Sequence, residues 1–367
     1  MKEKKRCGMV VSVSQRFFVV FSALRDARGA AIMEKSGKGD RKVSIVRAAL
    51  VGAWHVHFNQ YAKEFSSRED CRITALWDDE PSRGSACAAE YGCPFEPDYD
   101  RLLSRNDVDA VIVCSATSRH RELIEAAARA GKHIYTEKVL AFTLQEARSI
   151  AAAVEKAGVK FCISYPWMCR DFVQGGKRLM DSGALGEITY VRMRNCHNGA
   201  VAGWLPAYFY DPVLCGGGAM MDLGAHSMYL MDYFLGLPAA VISIFTRVTG
   251  KAVEDNAVTL LEYANGAIGS AETGFVTTND PYSIEIAGTK GVFLSGGPEN
   301  RTLVNLDGQW KEAALPPSLP KPMDLWVDGI LQGTPIPSDI QAAVRLSQLM
   351  EAAYRSAAEG KRIALSE

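Results

Sequence analysis

With 367 residues, 48% of them hydrophobic and 23% charged, the chain is long enough for two domains with cores of their own and has the composition of a soluble globular protein. Its formal charge of −1 hides an asymmetry: eleven Lys/Arg against four acids make residues 1–42 +7, which leaves −8 on the rest. An acidic body carries no electrostatic footprint for nucleic acid, and the longest apolar stretches are far short of a bilayer span, so neither is an expected partner.

In chain order, residues 1–42 are expected to be a disordered basic leader or the product of a start placed too early, with Met33 as the alternative start. A signal peptide fits less well, because Gln15 and Arg16 interrupt the apolar part and no small-x-small cleavage site follows. From residue 43, short β runs alternate with helical patterns. Strands are expected at 45–52, 71–78, 110–114, 133–136 and 159–165, and helices at 57–65, 80–91, 99–104, 120–130 and 143–157. Thr143 and Glu146 form a capping box, and Gly131 and Gly158 stand where helices end. Strands apolar on both faces, in β-α-β-α order, mean a parallel sheet covered by helices, an α/β fold of the doubly wound Rossmann kind. After residue 166 the pattern changes. A helix is expected at 172–182, then alternating strands at 188–195, 240–248, 257–263, 267–274 and 282–286, with Asn265-Gly266 and Asp307-Gly308 as hairpin turns. A helix over 219–234 interrupts these strands, and another over 340–359 closes the chain. The expected organisation is a dinucleotide-binding domain over 43–166 and an α+β domain with a largely antiparallel sheet over 167–367, the latter for substrate.

The first βα turn, Gly52-Ala53-Trp54-His55-Val56-His57, falls where a dinucleotide fingerprint places glycines at 52, 54 and 57. Only Gly52 remains. The turn still follows a strand and opens a helix, whose N-terminal N–H groups favour an anion. Asp78 ends the second strand, where an acid bonds a ribose 2′-hydroxyl and selects NAD over NADP. Arg83 nearby leaves NADP open, and a solvated loop acid is the plain alternative for Asp78. The nine cysteines form no CxxC pair, and the spacings Cys87/Cys93 and Cys162/Cys169 do not fit a zinc knuckle. No metal is therefore expected, and a reducing cytoplasm is the natural compartment.

Two further stretches carry chemistry. Glu137-Lys138 follows the strand at 133–136. Asp222 and His226 follow Gly216-Gly217-Gly218 at a helix start, and residues four apart share a helix face. A Lys, an Asp and a His brought together suit proton transfer from an alcohol. Taken singly, they also read as a surface lysine, a helix-terminal acid and a core histidine.

Over residues 43–367 the chain resembles the Gfo/Idh/MocA family of NAD(P)-dependent sugar and inositol dehydrogenases. The likeness rests on Gly131-Lys132-His133-Ile134-Tyr135-Thr136-Glu137-Lys138, similar to the family's GKHV–EKP segment. It rests also on residues 216–226, similar to the family's GGGxxxDxGxH helix start, with 182–188 and 286–291 in support. Val139 stands in place of the family's proline. The resemblance implies NAD as cofactor and a cyclic polyol, a sugar or an inositol, as substrate, with Lys138, Asp222 and His226 around the reacting carbinol. His226 would take the hydroxyl proton, Asp222 would orient it or bind a substrate hydroxyl, and Lys138 would stabilise developing alkoxide. Glu137 would bind the nicotinamide ribose. Gly52, Trp54, His55, Val56, Ser115, Thr117 and His120 are expected at the cofactor cleft. Trp167, Arg170, His197, Asn198, Trp204, Tyr208 and Asp211 offer aromatic faces and hydrogen-bonding groups for a polyol pocket; they fit a packed loop equally well. A homodimer or homotetramer through the second domain's sheet is expected by analogy with relatives. Two other readings fit the same residues: an NAD-dependent glycoside hydrolase or lyase with transient ring oxidation, and a non-catalytic NAD-binding regulator.

Overall fold

A computed structural model describes residues 45–278 and 282–365; the leader expected at 1–42 lies outside them. Strands β1 (Val46–Val51), β2 (Cys71–Trp77), β3 (Ala110–Val113), β4 (His133–Thr136) and β5 (Phe161–Ile163) form an all-parallel sheet in the order β2-β1-β3-β4-β5. The crossovers run through helices α1 (Phe58–Ser66), α2 (Pro81–Glu90), α3 (Tyr99–Ser104), α4 (His120–Arg129) and α5 (Leu144–Ala157). Every residue of β3 and β5 is buried, as strands covered on both faces require. The capping box of α5 forms as its sequence predicts: the Glu146 N–H donates to the Thr143 hydroxyl at 3.2 Å, the hydroxyl lies 3.0 Å from the Glu146 carboxylate, and Gly158 ends the helix at φ 65°.

Beyond residue 166 come α6 (Asp171–Asp181), β6 (Ile188–Cys196), the short helices α7 (Gly199–Ala202) and α8 (Pro212–Cys215), and α9 (Ala225–Leu235). Then follow β7 (Ala240–Thr246), β8 (Asn256–Glu262), β9 (Ile268–Gly274), β10 (Ser283–Gly288), β11 (Val292–Gly296), β12 (Arg301–Asn305), β13 (Trp310–Glu312), α10 (Pro322–Gln332), α11 (Ile340–Glu359) and β14 (Ile363–Ala364). The strands make one sheet, β13-β12-β11-β10-β6-β9-β8-β7-β14, in which only β6–β9 is parallel. β8 alternates buried and exposed residues along its whole length, the signature of a sheet with one covered face.

Strands β11 to β14 and helix α10 have no counterpart among the sequence expectations. β13 is exposed throughout and β12 has no buried residue, so neither shows the alternation that reveals a half-buried strand. α10 packs away from the second sheet: Met323, Trp326 and Val327 join the core beneath β1 and β4, with the Trp326 ring 5.6 Å from Tyr135 and 6.2 Å from Phe65. The chain thus returns to finish covering its first sheet. α11 packs against α5, α9 and β7, which joins both sheets through one continuous apolar core. No helix among the described residues is long and apolar enough to cross a membrane.

Candidate active site

Strand β4 delivers Glu137 and Lys138 to the carboxyl edge of the parallel sheet, the edge where open α/β sheets bind ligands. Both are buried, at 2% and 5% exposure, which excludes the surface-lysine reading. The Lys138 ammonium donates to the Asp222 carboxylate at 2.7 Å and to the Asp222 carbonyl at 2.8 Å. The Lys138–Val139 peptide bond is cis.

Asp222 reaches Lys138 because of the glycine run before it. A Cβ on Gly217 would lie 1.9 Å from the Tyr354 hydroxyl, and one on Gly218 would lie 1.9 Å from the Glu254 carbonyl oxygen. Through this close approach one carboxylate oxygen of buried Glu254 accepts the N–H groups of Gly218 (2.9 Å) and Met220 (3.0 Å) and the Tyr354 hydroxyl (2.6 Å). The next turn, Met220–Gly224, is π-helical and leads into α9, where the sequence predicts a plain α-helix over 219–234. The reason lies in the carbonyls. Those of Ala219, Asp222 and Leu223 accept from the Thr273 hydroxyl (3.2 Å), Lys138 and the Asn195 amide (3.3 Å), so side chains compete with the helix ladder.

His226 follows on α9, at 7% exposure. Its Nδ1 is 3.0 Å from the Tyr229 hydroxyl, and its ring stacks on Trp167 with centroids 5.4 Å apart and planes at 28°. Burial first, and then the Lys138 charge, push its pKa down to about 3. Burial pushes the Asp222 carboxyl up, and the adjacent ammonium more than offsets this, so it stays below its ordinary range. The trio is therefore an ion pair beside a neutral imidazole.

At the nucleotide turn, Gly52 adopts φ 80°, and a Cβ there would lie 2.2 Å from the Ser115 hydroxyl, which itself donates to the Val51 carbonyl at 3.1 Å. Asp78 is not a solvated loop acid. It is 2% exposed and accepts from the N–H groups of Ala53 (2.7 Å) and Glu80 (2.8 Å) and from the Arg83 guanidinium at 2.6 and 3.0 Å. Those four bonds match the acceptor capacity of a carboxylate. Trp54 lies against Tyr208 (4.8 Å between centroids) and Phe209 (6.4 Å), so an aromatic contact stands where the fingerprint has glycine. Val56 is exposed and His55 buried. His57 and the Tyr61 hydroxyl both reach Glu137 Oε2. Glu137 Oε1 is buried with no partner among the described residues.

One cleft residue needs correcting. His120 is fully buried, with Nδ1 3.0 Å from the Val139 carbonyl and Nε2 3.3 Å from the Ser115 carbonyl. It braces the segment after Lys138 from behind and does not line the cleft, because the first turn of α4 faces the sheet.

The cleft itself is lined by Trp54, His55, Thr117, Lys138, Phe209 and Asp222 among others. Phe209 carries no sequence signal, whereas Tyr61 is readable one helical turn after His57. Arg170 lines a separate crevice with Tyr61 and Ser164. The remaining loop residues hold one another. His197 stacks on Phe275 (4.9 Å, 9°) and accepts the Gly199 N–H at 3.0 Å. Asn198 accepts the Trp204 indole N–H at 3.2 Å. Asp211 caps α8 through the N–H groups of Val213 (2.8 Å) and Leu214 (3.2 Å). Of the group expected at a polyol pocket, Trp167 touches His226 directly.

Residues 46–165 match the oxidoreductase family with an NAD-binding Rossmann fold, and residues 173–294 match the GFO/IDH/MocA C-terminal domain. The chain belongs to the Gfo/Idh/MocA family. Its relatives include the D-glucoside 3-dehydrogenase of Escherichia coli (strain K12), 27% identical over 88% of this chain and 98% of that protein. The inositol 2-dehydrogenase of Rhizobium meliloti (strain 1021) is 25% identical over 88% of this chain and 99% of that protein. The crystal structure of an aldose-aldose oxidoreductase from Caulobacter crescentus, complexed with glycerol, superposes with a TM-score of 0.76 at 25% identity, covering 88% of this chain and all of that one. Family membership makes the protein an NAD(P)-dependent oxidoreductase, and its residues fit that cofactor. The orphan Glu137 Oε1 at the end of β4 is an acceptor waiting for a hydroxyl donor, and the βα turn at Gly52 opens α1 towards an anion.

Proposed function

We propose that the protein oxidises a ring hydroxyl of a cyclic polyol, a sugar or an inositol, with NAD as hydride acceptor. The observation that carries this is the Lys138–Asp222 ion pair beside the neutral, buried His226 at the carboxyl edge of a Rossmann sheet. Bound NAD supplies the hydride acceptor at its nicotinamide. Gly52, Thr117, Trp54 and the start of α1 would hold it along the turn, and Glu137 would hold a ribose hydroxyl through Oε1. Lys138 then bonds the reacting oxygen and stabilises the charge left as the proton departs. Asp222 fixes the ammonium from both its carboxylate and its carbonyl. His226 takes the proton on the ring nitrogen that does not face Tyr229. With its pKa near 3 it is a weak base, so Lys138 must acidify the hydroxyl as well as position it. The Trp167 ring stacked on His226 offers a flat apolar face to the substrate ring. The test is NADH formation against a panel of inositols, aldoses and glycosides. One class should reduce NAD, and turnover should fall by about 10²-fold or more in His226→Ala and Lys138→Met. NAD binding without reduction of any panel member would overturn the dehydrogenase in favour of transient oxidation or a regulator.

Two further features support wider parts of this reading. Cys71, Cys114, Cys162 and Cys169 are buried free thiols, as in a reducing cytoplasm. The open face of β7–β9 presents Ile242, Ile244, Val258, Leu260 and Ile268, each at least 38% exposed, a patch fit for a second copy of the chain.

A further inference from the structure

The nucleotide turn sets two imidazoles, His55 and His57, facing one buried carboxylate. His57 Nδ1 lies 3.3 Å from Glu137 Oε2, and His55 Nδ1 lies 4.0 Å from the same oxygen. The three donor atoms are all within 4.8 Å of one another, the one such His/Cys/Asp/Glu grouping among the described residues. The two rings meet edge-on at 4.8 Å. The Tyr61 hydroxyl, on the next turn of α1, reaches both Glu137 Oε2 and His57 Nδ1, the latter at 3.4 Å.

An ordinary His–Glu ion pair accounts for His57 alone. His55 Nδ1 accepts the His57 N–H, which orients its ring without bonding it to the carboxylate oxygen 4.0 Å away. A single divalent cation would engage all three side chains at once. Bonds of about 2.0–2.2 Å from a zinc-like ion to nitrogen and oxygen place the ligand atoms roughly 3–4 Å apart, the spacing of both imidazole nitrogens from Glu137 Oε2. Because His55 Nδ1 already accepts that N–H, at 3.2 Å, binding requires a small turn of its ring. The burial is right as well: Glu137 and His55 are buried and His57 is partly exposed, which leaves an entry path.

We infer that His55, His57 and Glu137 form a site for a divalent transition cation of the zinc or ferrous class, held by two imidazoles and one carboxylate. Three protein ligands leave an open coordination position. His55 lines the same cleft as Lys138 and Asp222, so an occupied site would lie beside the catalytic trio. The site stands independently of the hydride-transfer reading, because Glu137 Oε1 remains for a ribose hydroxyl while Oε2 faces the imidazoles.

The experiment titrates the full chain, stripped with a chelator, with Zn²⁺ against a chromogenic competitor. One equivalent should bind per chain, and affinity should fall at least about tenfold in both His55→Asn and His57→Asn. His133→Gln, at the far end of β4, should leave it unchanged. X-ray absorption at the zinc edge of the wild-type protein should show two imidazoles and oxygen with no sulfur, a readout that holds even if a variant fails to fold. Absence of stoichiometric binding, a sulfur signal from the free thiols, or binding that survives both substitutions would each overturn the site. NADH formation by the metal-free protein would leave the dehydrogenase reading intact whichever way the titration falls.

Discussion

Asp78 illustrates how one residue's role depends on what surrounds it. Its position at the end of β2 is legible from the sequence, and so is its link to the cofactor's ribose. What the sequence does not show is that Arg83, five residues on, folds back to clamp it with two bonds while backbone N–H groups fill the rest. The carboxylate therefore holds a guanidinium in place at the expected ribose position, and its charge repels a 2′-phosphate. Asp78→Asn weakens that hold and removes the repulsion, and it leaves Arg83 to meet a phosphate as its counter-ion. We expect the ratio of kcat/KM for NADP to that for NAD to rise about tenfold, about 1.4 kcal/mol, as measured with both cofactors on one substrate. An unchanged ratio would make Asp78 a brace for the turn and nothing more. His120 shows the opposite failure. A histidine just after a strand reads as a cleft residue, but the direction of its side chain depends on the rotation of the first turn of α4, which no spacing in the sequence fixes.

The element that sets the chemistry is the π-helical turn before α9. The glycine run and the Asp222/His226 spacing are visible in the sequence. Glu254 and Tyr354, which hold that run from 36 and over 100 residues away, are not, because their roles arise only when β8 and α11 pack against it. Removing the Glu254 carboxylate strands two buried N–H groups and leaves the half-buried Tyr354 hydroxyl without its acceptor. Each unmet group costs about 1–3 kcal/mol, so Glu254→Ala should lower the melting temperature by several degrees and reduce kcat by releasing Asp222 from Lys138. Glu254→Gln keeps a carbonyl oxygen for the same three donors and should restore most of both. Calorimetry alongside steady-state kinetics separates the outcomes: a Gln variant as impaired as Ala would show that the charge, and not the hydrogen bonds, positions the turn. Strands β12 and β13, which the sequence hides, fail for a different reason: they lie towards the edge of the sheet, where exposure erases alternation.

At the scale of the molecule, the nine-stranded sheet leaves one face uncovered. Ile244, at 72% exposure, stands beside Val258 on the neighbouring strand, and Ile242 beside Leu260. If this face seats a second copy of the chain, as proposed, Ile244→Lys should shift light-scattering mass towards the monomer; a mass that Ile244→Lys leaves unchanged would overturn that reading of the face. The buried active site also makes the whole fold sensitive to acid. His226 titrates at about 3 in the folded protein, against 6.5 for an unperturbed histidine. The groups facing it are Lys138, which lowers its pKa, Asp222 and Glu137, which raise it, and His57, which lowers it. Because the folded value is the lower one, the unfolded chain binds the proton first. Stability is complete above pH 6.5 and is lost as pH falls towards 3, at up to about 1.4 kcal/mol per pH unit. Asp222, held below its ordinary range by Lys138, adds a further loss below pH 3.8. Urea midpoints should therefore fall steadily from pH 6.5 to pH 4 in the wild-type protein. In His226→Phe, which keeps a flat ring against Trp167 and has nothing to protonate, the slope over the same interval should be shallower by about one proton. Equal slopes would mean that His226 already carries its proton in the folded state, and the base in the cleft would have to be sought at Lys138.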